Sequence, residues 1–252
     1  MRSIIGNAVS AGHRGGLLSA FSCLAGQGSN AKADPKTGGH AARFFNGATA
    51  VLAAVIAFAA PVSAEPIRVM AFGDSLTAGF GLAEEDAFPI QLEAALADNG
   101  YDVSVINAGV SGDTTSSGLA RLDWALGDNP DFFIMELGAN DGLRAIDPAI
   151  TRDNLDQMLT ILTDRDIPTL LTGMYAPPNL GQDYGEAFNA IYPDLAEKHG
   201  LPLYPFFLEA VATDPALNQS DGIHPNRQGV AIIVERLLPY VMELIGPPRP
   251  AG

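Results

Sequence analysis

The sequence predicts an α/β fold: a parallel sheet covered by helices. Three observations predict it. From Glu65 onward, short apolar runs alternate with segments of helical spacing. The strand-like runs are apolar on consecutive residues, as strands buried on both faces are. The polar, glycine-rich loops fall directly after strand candidates, where such sheets gather their ligand sites.

The elements follow in order. Ile67–Phe72 is β-like and leads into Gly73. Asp86–Ala97 carries Ala87, Ile90, Leu92, Ala94, Ala95 and Leu96 at helical spacing, and Asn99-Gly100 stops it. Val103–Ile106 is a strand candidate, followed by a Gly/Ser/Thr-rich loop, Asn107–Gly118. A helix is expected over Leu119–Leu126 and a continuous apolar strand over Phe132–Leu137. Asp147-Pro148 opens a helix to Thr163, with Leu155, Met158, Leu159 and Leu162 on one face. Pro168–Met174 is the next strand, and Ala187–His199 is helical up to Gly200. Leu201–Tyr204 is a short strand and Asn226–Leu244 the closing helix. Neither repeat nor linker interrupts this series, so residues 65–252 read as one domain.

Residues 1–64 read as an address. Arg43 precedes an apolar run, Ala48–Ala60, shorter than the ~20 residues a membrane-spanning helix needs. Small residues at Val62 and Ala64 fit a signal-peptidase site, so cleavage after Ala64 and export to the periplasm or medium are expected, with no stable membrane insertion afterwards. Cys23, the only cysteine, lies in this leader, which leaves the remainder without a disulfide, a thiol nucleophile or a thiolate metal ligand.

Of 14 Lys+Arg and 29 Asp+Glu, residues 1–64 hold five and one; 14 − 5 = 9 basic and 29 − 1 = 28 acidic groups remain, a net charge of −19. Such a surface repels nucleic acid and anionic lipid headgroups. A hydrophobic content of 47% and a charged content of 17% describe a globular chain. A small-molecule substrate and a monomer are expected.

Four loops carry chemistry-bearing residues. The first is Gly73-Asp74-Ser75-Leu76-Thr77-Ala78-Gly79, where a strand-to-helix turn can expose the Ser75 hydroxyl. The second, Asn107–Thr114, contains Gly112, whose N–H is open to a ligand. The third, Gly138-Ala139-Asn140-Asp141-Gly142, offers the Asn140 side-chain amide as a donor. The fourth, Asp221-Gly222-Ile223-His224-Pro225, pairs an imidazole with a carboxylate three residues earlier, and Pro225 is expected in the first helical turn. Taken singly, each loop is equally explained by turn and helix-cap chemistry. Together they supply the parts acyl transfer needs: a nucleophile, a base, an orienter for that base and oxyanion donors. His199, before Gly200 at a helix end, reads as structural. Asp74, Asp113 and Asp141 lie in these same glycine-containing turns, where backbone capping accounts for them, so no metal or other cofactor is expected. Tyr175-Ala176-Pro177-Pro178-Asn179-Leu180-Gly181, apolar and following a strand, is a candidate lid or a plain surface connection; Asp74, Tyr175, Pro177 and Ile223 are candidate substrate contacts.

The Gly73-Asp74-Ser75-Leu76 turn, Gly112, Asn140 within Gly138-Ala139-Asn140-Asp141, and Asp221-x-x-His224 resemble, in order, the four blocks of the SGNH/GDSL hydrolases. The resemblance is nearer to the bacterial thioesterase I, lysophospholipase L1 and arylesterase branch. It spans nearly all of residues 65–252 through Ser111–Thr115, Gly118–Leu122, Glu136–Arg144, Glu186–Pro193 and Asp221–Asn226. The tetrapeptide alone is weakly specific; all four blocks at this spacing are strongly so. Ala139 stands where family members often carry a second glycine. The resemblance implies a flavodoxin-like three-layer α/β sandwich with a five-stranded parallel sheet. It also implies a serine hydrolase of esters or thioesters. In that reading Ser75, Asp221 and His224 are catalytic, and Ser75 N–H, Gly112 N–H and the Asn140 amide form the oxyanion hole. A carbohydrate O-acetylesterase on the same scaffold is the alternative. A non-catalytic binding module would have no need of all four blocks. A flavodoxin-type cofactor protein lacks support, because no G-x-G-x-x-G follows the first strand and Asp74 would oppose a phosphate.

Overall fold

In a computed structural model of the chain, the described residues are 65–248; the expected leader, its cleavage position and Cys23 lie outside them. Five strands form one parallel sheet: β1 (Ile67–Gly73), β2 (Val103–Gly109), β3 (Phe132–Glu136), β4 (Thr169–Thr172) and β5 (Leu203–Tyr204). Their order is β2-β1-β3-β4-β5. Val69, Met70, Ala71 and Phe72 are consecutive and buried, as are Phe133, Ile134 and Met135. Consecutive burial requires cover on both faces of the sheet.

Among the described residues eight α-helices accompany the strands: α1 (Ser75–Ala78), α2 (Phe88–Asp98), α3 (Thr115–Ala125), α4 (Ala139–Leu143), α5 (Pro148–Asp164), α6 (Gln182–Asn189), α7 (Ile191–His199) and α8 (Arg227–Ile245). α2 packs on α8, while α3, α5 and α7 form a contiguous row. The chain winds outward from β1 to β2 and then in the other direction from β3. The switch point therefore lies between β1 and β3, where open parallel sheets form their ligand crevice. Register makes the crevice level: Gly73, the last residue of β1, pairs with Gly109 of β2 and Glu136 of β3. The loops that follow leave the sheet at one height.

The structure departs from the expected elements in instructive places. The segment expected as one helix over Ala187–His199 is two, broken at Ala190. Pro193 has no N–H and would clash with the carbonyl four residues back, so it sits in the first turn of a new helix. The Leu201–Tyr204 strand shortens to Leu203–Tyr204; Pro202 joins the sheet only as an acceptor, from Leu171 N–H at 3.0 Å. The Asn107–Gly118 loop is shorter than expected, because β2 runs to Gly109 and the Thr114 hydroxyl caps α3 by accepting from Ser117 N–H. Pro225 lies before α8 rather than in its first turn; Asn226 caps that helix by accepting from Gln228 and Gly229 N–H, each at 3.0 Å.

Candidate active site

The first strand ends against a crowded floor. A Cβ on Gly73 would collide with the Thr77 hydroxyl and with Glu136, so only glycine lets the chain turn there. Ser75 then opens α1, half-buried, with Asp74 capping the helix through Leu76 N–H at 2.9 Å. The other carboxylate oxygen of Asp74 accepts from Asn140 Nδ2 at 2.9 Å. One hydrogen of that amide is thereby fixed, and its second is left for another acceptor.

His224 reaches the same point from the far end of the chain. Its loop closes as a tight turn: Gln219 N–H donates to the His224 carbonyl at 2.7 Å, and Asn218 bridges Pro225. Asp221 Oδ1 accepts from Ile223 N–H at 2.9 Å and His224 N–H at 3.0 Å, while Oδ2 meets His224 Nδ1 at 2.7 Å. These bonds, the backbone one from His224 foremost, hold the exposed Asp221 carboxyl down at about 2. The imidazole carries its other nitrogen, Nε2, to 2.9 Å from Ser75 Oγ. The Phe80 ring leans on the imidazole with centroids 4.6 Å apart. Ser75, His224 and Asp221 thus form one hydrogen-bonded chain able to pass a proton from hydroxyl to imidazole while the carboxylate holds the tautomer.

Beneath the serine lie two buried acids. Burial pushes Asp74 up to about 6, with the bonds from Leu76 and Asn140 pulling the other way. Glu136, fully buried, is raised well above its ordinary value, first by burial and then by Asp74. It accepts from the Thr77 hydroxyl at 2.7 Å and from Asp74 N–H at 3.3 Å through the same oxygen, and its other oxygen has no protein partner.

The predicted residues separate into two groups. Ser75, His224 and Asp221 converge through hydrogen bonds, Asn140 joins them by way of Asp74, and Gly112 is tied to the rim beside Asn140 by Arg144, whose Nη2 donates to the Gly112 carbonyl at 2.8 Å. Asp74 is a correction: its side chain is wholly buried and holds Asn140, so it does not face a substrate. Tyr175 and Ile223 are about half exposed, Tyr175 stacked on Phe206. The segment expected as a lid holds a single 3-10 turn, Pro178–Leu180, and is tied down by Ala176 N–H to Asn189 at 2.8 Å. His199 bonds Asp156 at 2.7 Å in the last turn of α7, a structural place.

Sequence reasoning missed three residues that join the loops. Arg121 donates to Asp113 at 2.5 Å and to the Gly73 carbonyl at 2.9 Å, with its guanidinium 3.9 Å from the Phe72 ring centre, linking the second loop to the first. Gln219 Nε2 donates to the Phe80 carbonyl at 2.8 Å and to that of Pro225 at 3.0 Å, tying the serine turn to the histidine turn. Glu136 supports Thr77 of α1. A signal existed for Arg121 and Asp113, both inside stretches that carried the family resemblance. Gln219 offered none, because the partner that makes it a joint, Phe80, lies 139 residues away.

Comparison with known proteins gives the family of the chain. The model of the GDSL-like Lipase/Acylhydrolase family matches residues 71–232. An arylesterase of Vibrio mimicus is 42% identical over 169 residues, covering 67% of this chain and 84% of that protein. The thioesterase 1/protease 1/lysophospholipase L1 of Escherichia coli (strain K12) is 39% identical over 178 residues, covering 70% and 84%. The crystal structure of AlinE4, an SGNH-hydrolase family esterase, superposes with a TM-score of 0.62 at 47% identity, covering 73% of this chain and 98% of that one. The chain belongs to the GDSL-like lipase/acylhydrolase family, and it is a hydrolase of the SGNH esterase/thioesterase type.

Proposed function

We propose that Ser75 is the nucleophile, His224 its base and Asp221 the group that orients that base, in the hydrolysis of carboxylic esters and acyl thioesters. The observation that carries this is the unbroken run of hydrogen bonds Ser75–His224–Asp221, at 2.9 and 2.7 Å. Ser75 Oγ attacks the carbonyl carbon and His224 Nε2 takes the hydroxyl proton. The oxyanion is received by Ser75 N–H, Gly112 N–H and the free hydrogen of Asn140 Nδ2. Collapse expels the alcohol or thiol, which leaves with the proton held by His224. Water then attacks acyl-Ser75 with His224 again as base, releasing the acid. No cofactor enters this sequence.

Val110, Leu143 and Tyr175 are exposed apolar residues in the segments after β2, β3 and β4, and they favour aliphatic or aryl acyl groups over sugars. A fluorophosphonate probe should label Ser75 alone, and Ser75→Ala should abolish both labelling and turnover of p-nitrophenyl esters. Full turnover by Ser75→Ala would overturn the assignment. Activity should survive EDTA. The proposal extends to export, with cleavage after Ala64; among the described residues no helix is long and apolar enough to cross a membrane. N-terminal sequencing of the exported protein should begin at Glu65.

A further inference from the structure

Eight Arg and Lys side chains lie among the described residues. Six pair with a carboxylate: Arg121, Arg152, Arg165, Lys198, Arg227 and Arg236. The other two, Arg68 and Arg144, are each held by a backbone carbonyl. In an acidic chain, cations without a carboxylate partner are uncommon, and one of these two stands at the site.

Arg144 follows α4 and sits one helical turn beyond Asn140; its N–H donates to the Asn140 carbonyl at 3.1 Å. Residues so spaced share a face of the turn, about 6 Å apart. Its guanidinium spends one N–H on the Gly112 carbonyl. A guanidinium carries five N–H donors in a planar fork, so most of the fork remains open. Arg144 is exposed; Leu143, which precedes it, and Val110, two residues before its partner Gly112, are exposed apolar residues at 53% and 44%. The nearest carboxylates along the chain are engaged elsewhere. Asp141 is buried on the Thr115 and Thr151 hydroxyls, and Asp147 caps α5 through Ala149 N–H. The oxyanion edge of the site therefore presents a fixed cation beside an apolar surface.

We infer that Arg144 is a substrate-binding residue that selects esters and thioesters bearing an anionic group, carboxylate or phosphate, within one side-chain length of the scissile carbonyl. The inference rests on the proposed hydrolase chemistry at Ser75. An anion bound there meets a charge-assisted fork whose position is already fixed by Gly112, so little side-chain freedom is lost on binding. The surrounding acidity sharpens the effect, because an anionic ester has few other places to bind.

The test compares wild type, Arg144→Gln and Arg144→Lys on matched esters. One pair is 4-nitrophenyl butyrate against mono-4-nitrophenyl glutarate, which puts a carboxylate on the acyl side. The second is phenyl acetate against 4-acetoxybenzoate, which puts it on the leaving-group side. Arg144→Gln should raise KM for at least one anionic ester about tenfold more than it raises KM for the neutral partner. Arg144→Lys should recover most of the loss, and added salt should weaken the anionic ester in wild type but not in Arg144→Gln. Equal losses on neutral and anionic esters would mean that Arg144 only props Gly112, and unchanged kinetics would mean no role; either overturns the inference. Ser75 labelling in every variant keeps this outcome separate from failure of the hydrolase reading, which would show as no turnover of any ester by wild type.

Discussion

Asn140 shows how much one side chain is asked to do. Its Nδ2 gives one hydrogen to Asp74 and leaves the other for the proposed oxyanion. Replacing it with alanine removes a preorganised donor, and such losses cost ~10²–10³ in kcat. Asn140→Ala should therefore hydrolyse p-nitrophenyl acetate at least a hundredfold more slowly while its circular dichroism is unchanged. A wild-type rate would remove Asn140 from the oxyanion hole. Asp74 explains why residue roles are hard to read from a motif. The acid precedes the proposed nucleophile, so it reads as a substrate contact, yet burial directs its carboxylate to Leu76 N–H and Asn140. Sequence supplies the residue types, and only packing decides which way each one points.

At the scale of elements, the site depends on joints between segments far apart in the chain. Gln219 is one: its amide bridges the carbonyls of Phe80 and Pro225, so it sets where the histidine turn rests on the serine turn. Gln219→Leu keeps the volume and leaves both carbonyls without this donor. It should destabilise the fold by about 0.5–1.5 kcal/mol in urea unfolding and lower kcat for esters more than KM rises. Unchanged kcat would show that the turns find their place without it. Gly138 is another joint, with φ at +118° and a would-be Cβ colliding with the Tyr192 hydroxyl that bonds the Leu137 carbonyl. Gly138→Ala should cost about 2–4 kcal/mol, read as a fall in melting temperature, because strain and overpacking add.

For the whole molecule, pH acts in two directions. Asp74, raised to about 6, and Glu136, raised further above its ordinary 4.5, are both favoured neutral in the fold. Their contribution is complete below about pH 4 and is lost as pH rises through 6 and beyond, because ionising them inside the protein opposes folding. Asp221, lowered to about 2, works the other way: its contribution is present above its ordinary 3.8 and lost as pH falls through 2. Glu136→Gln keeps an acceptor for Thr77 and deletes the buried acid. It should melt higher than wild type at pH 8 by a margin that shrinks at pH 5. An equal margin at both pH values would mean that burial does not raise Glu136 above its ordinary value.

Periodicity and turn chemistry are properties of neighbouring residues, and these the sequence determines by itself. Consecutive apolar residues in Ile67–Phe72 and Phe132–Leu137 sufficed for buried strands, the Leu155–Leu162 stripe for a helix, and the four loop motifs for the family. Distances between loops are another matter. Ser75 and His224 are 149 residues apart, and their 2.9 Å contact exists because strand register brings the ends of β1, β2 and β3 level and Gln219 locks the last turn against the first. The buried acids, the Arg121 link and the open fork of Arg144 were likewise decided in three dimensions. A charged residue's role depends on what surrounds it after folding, and no local pattern records that.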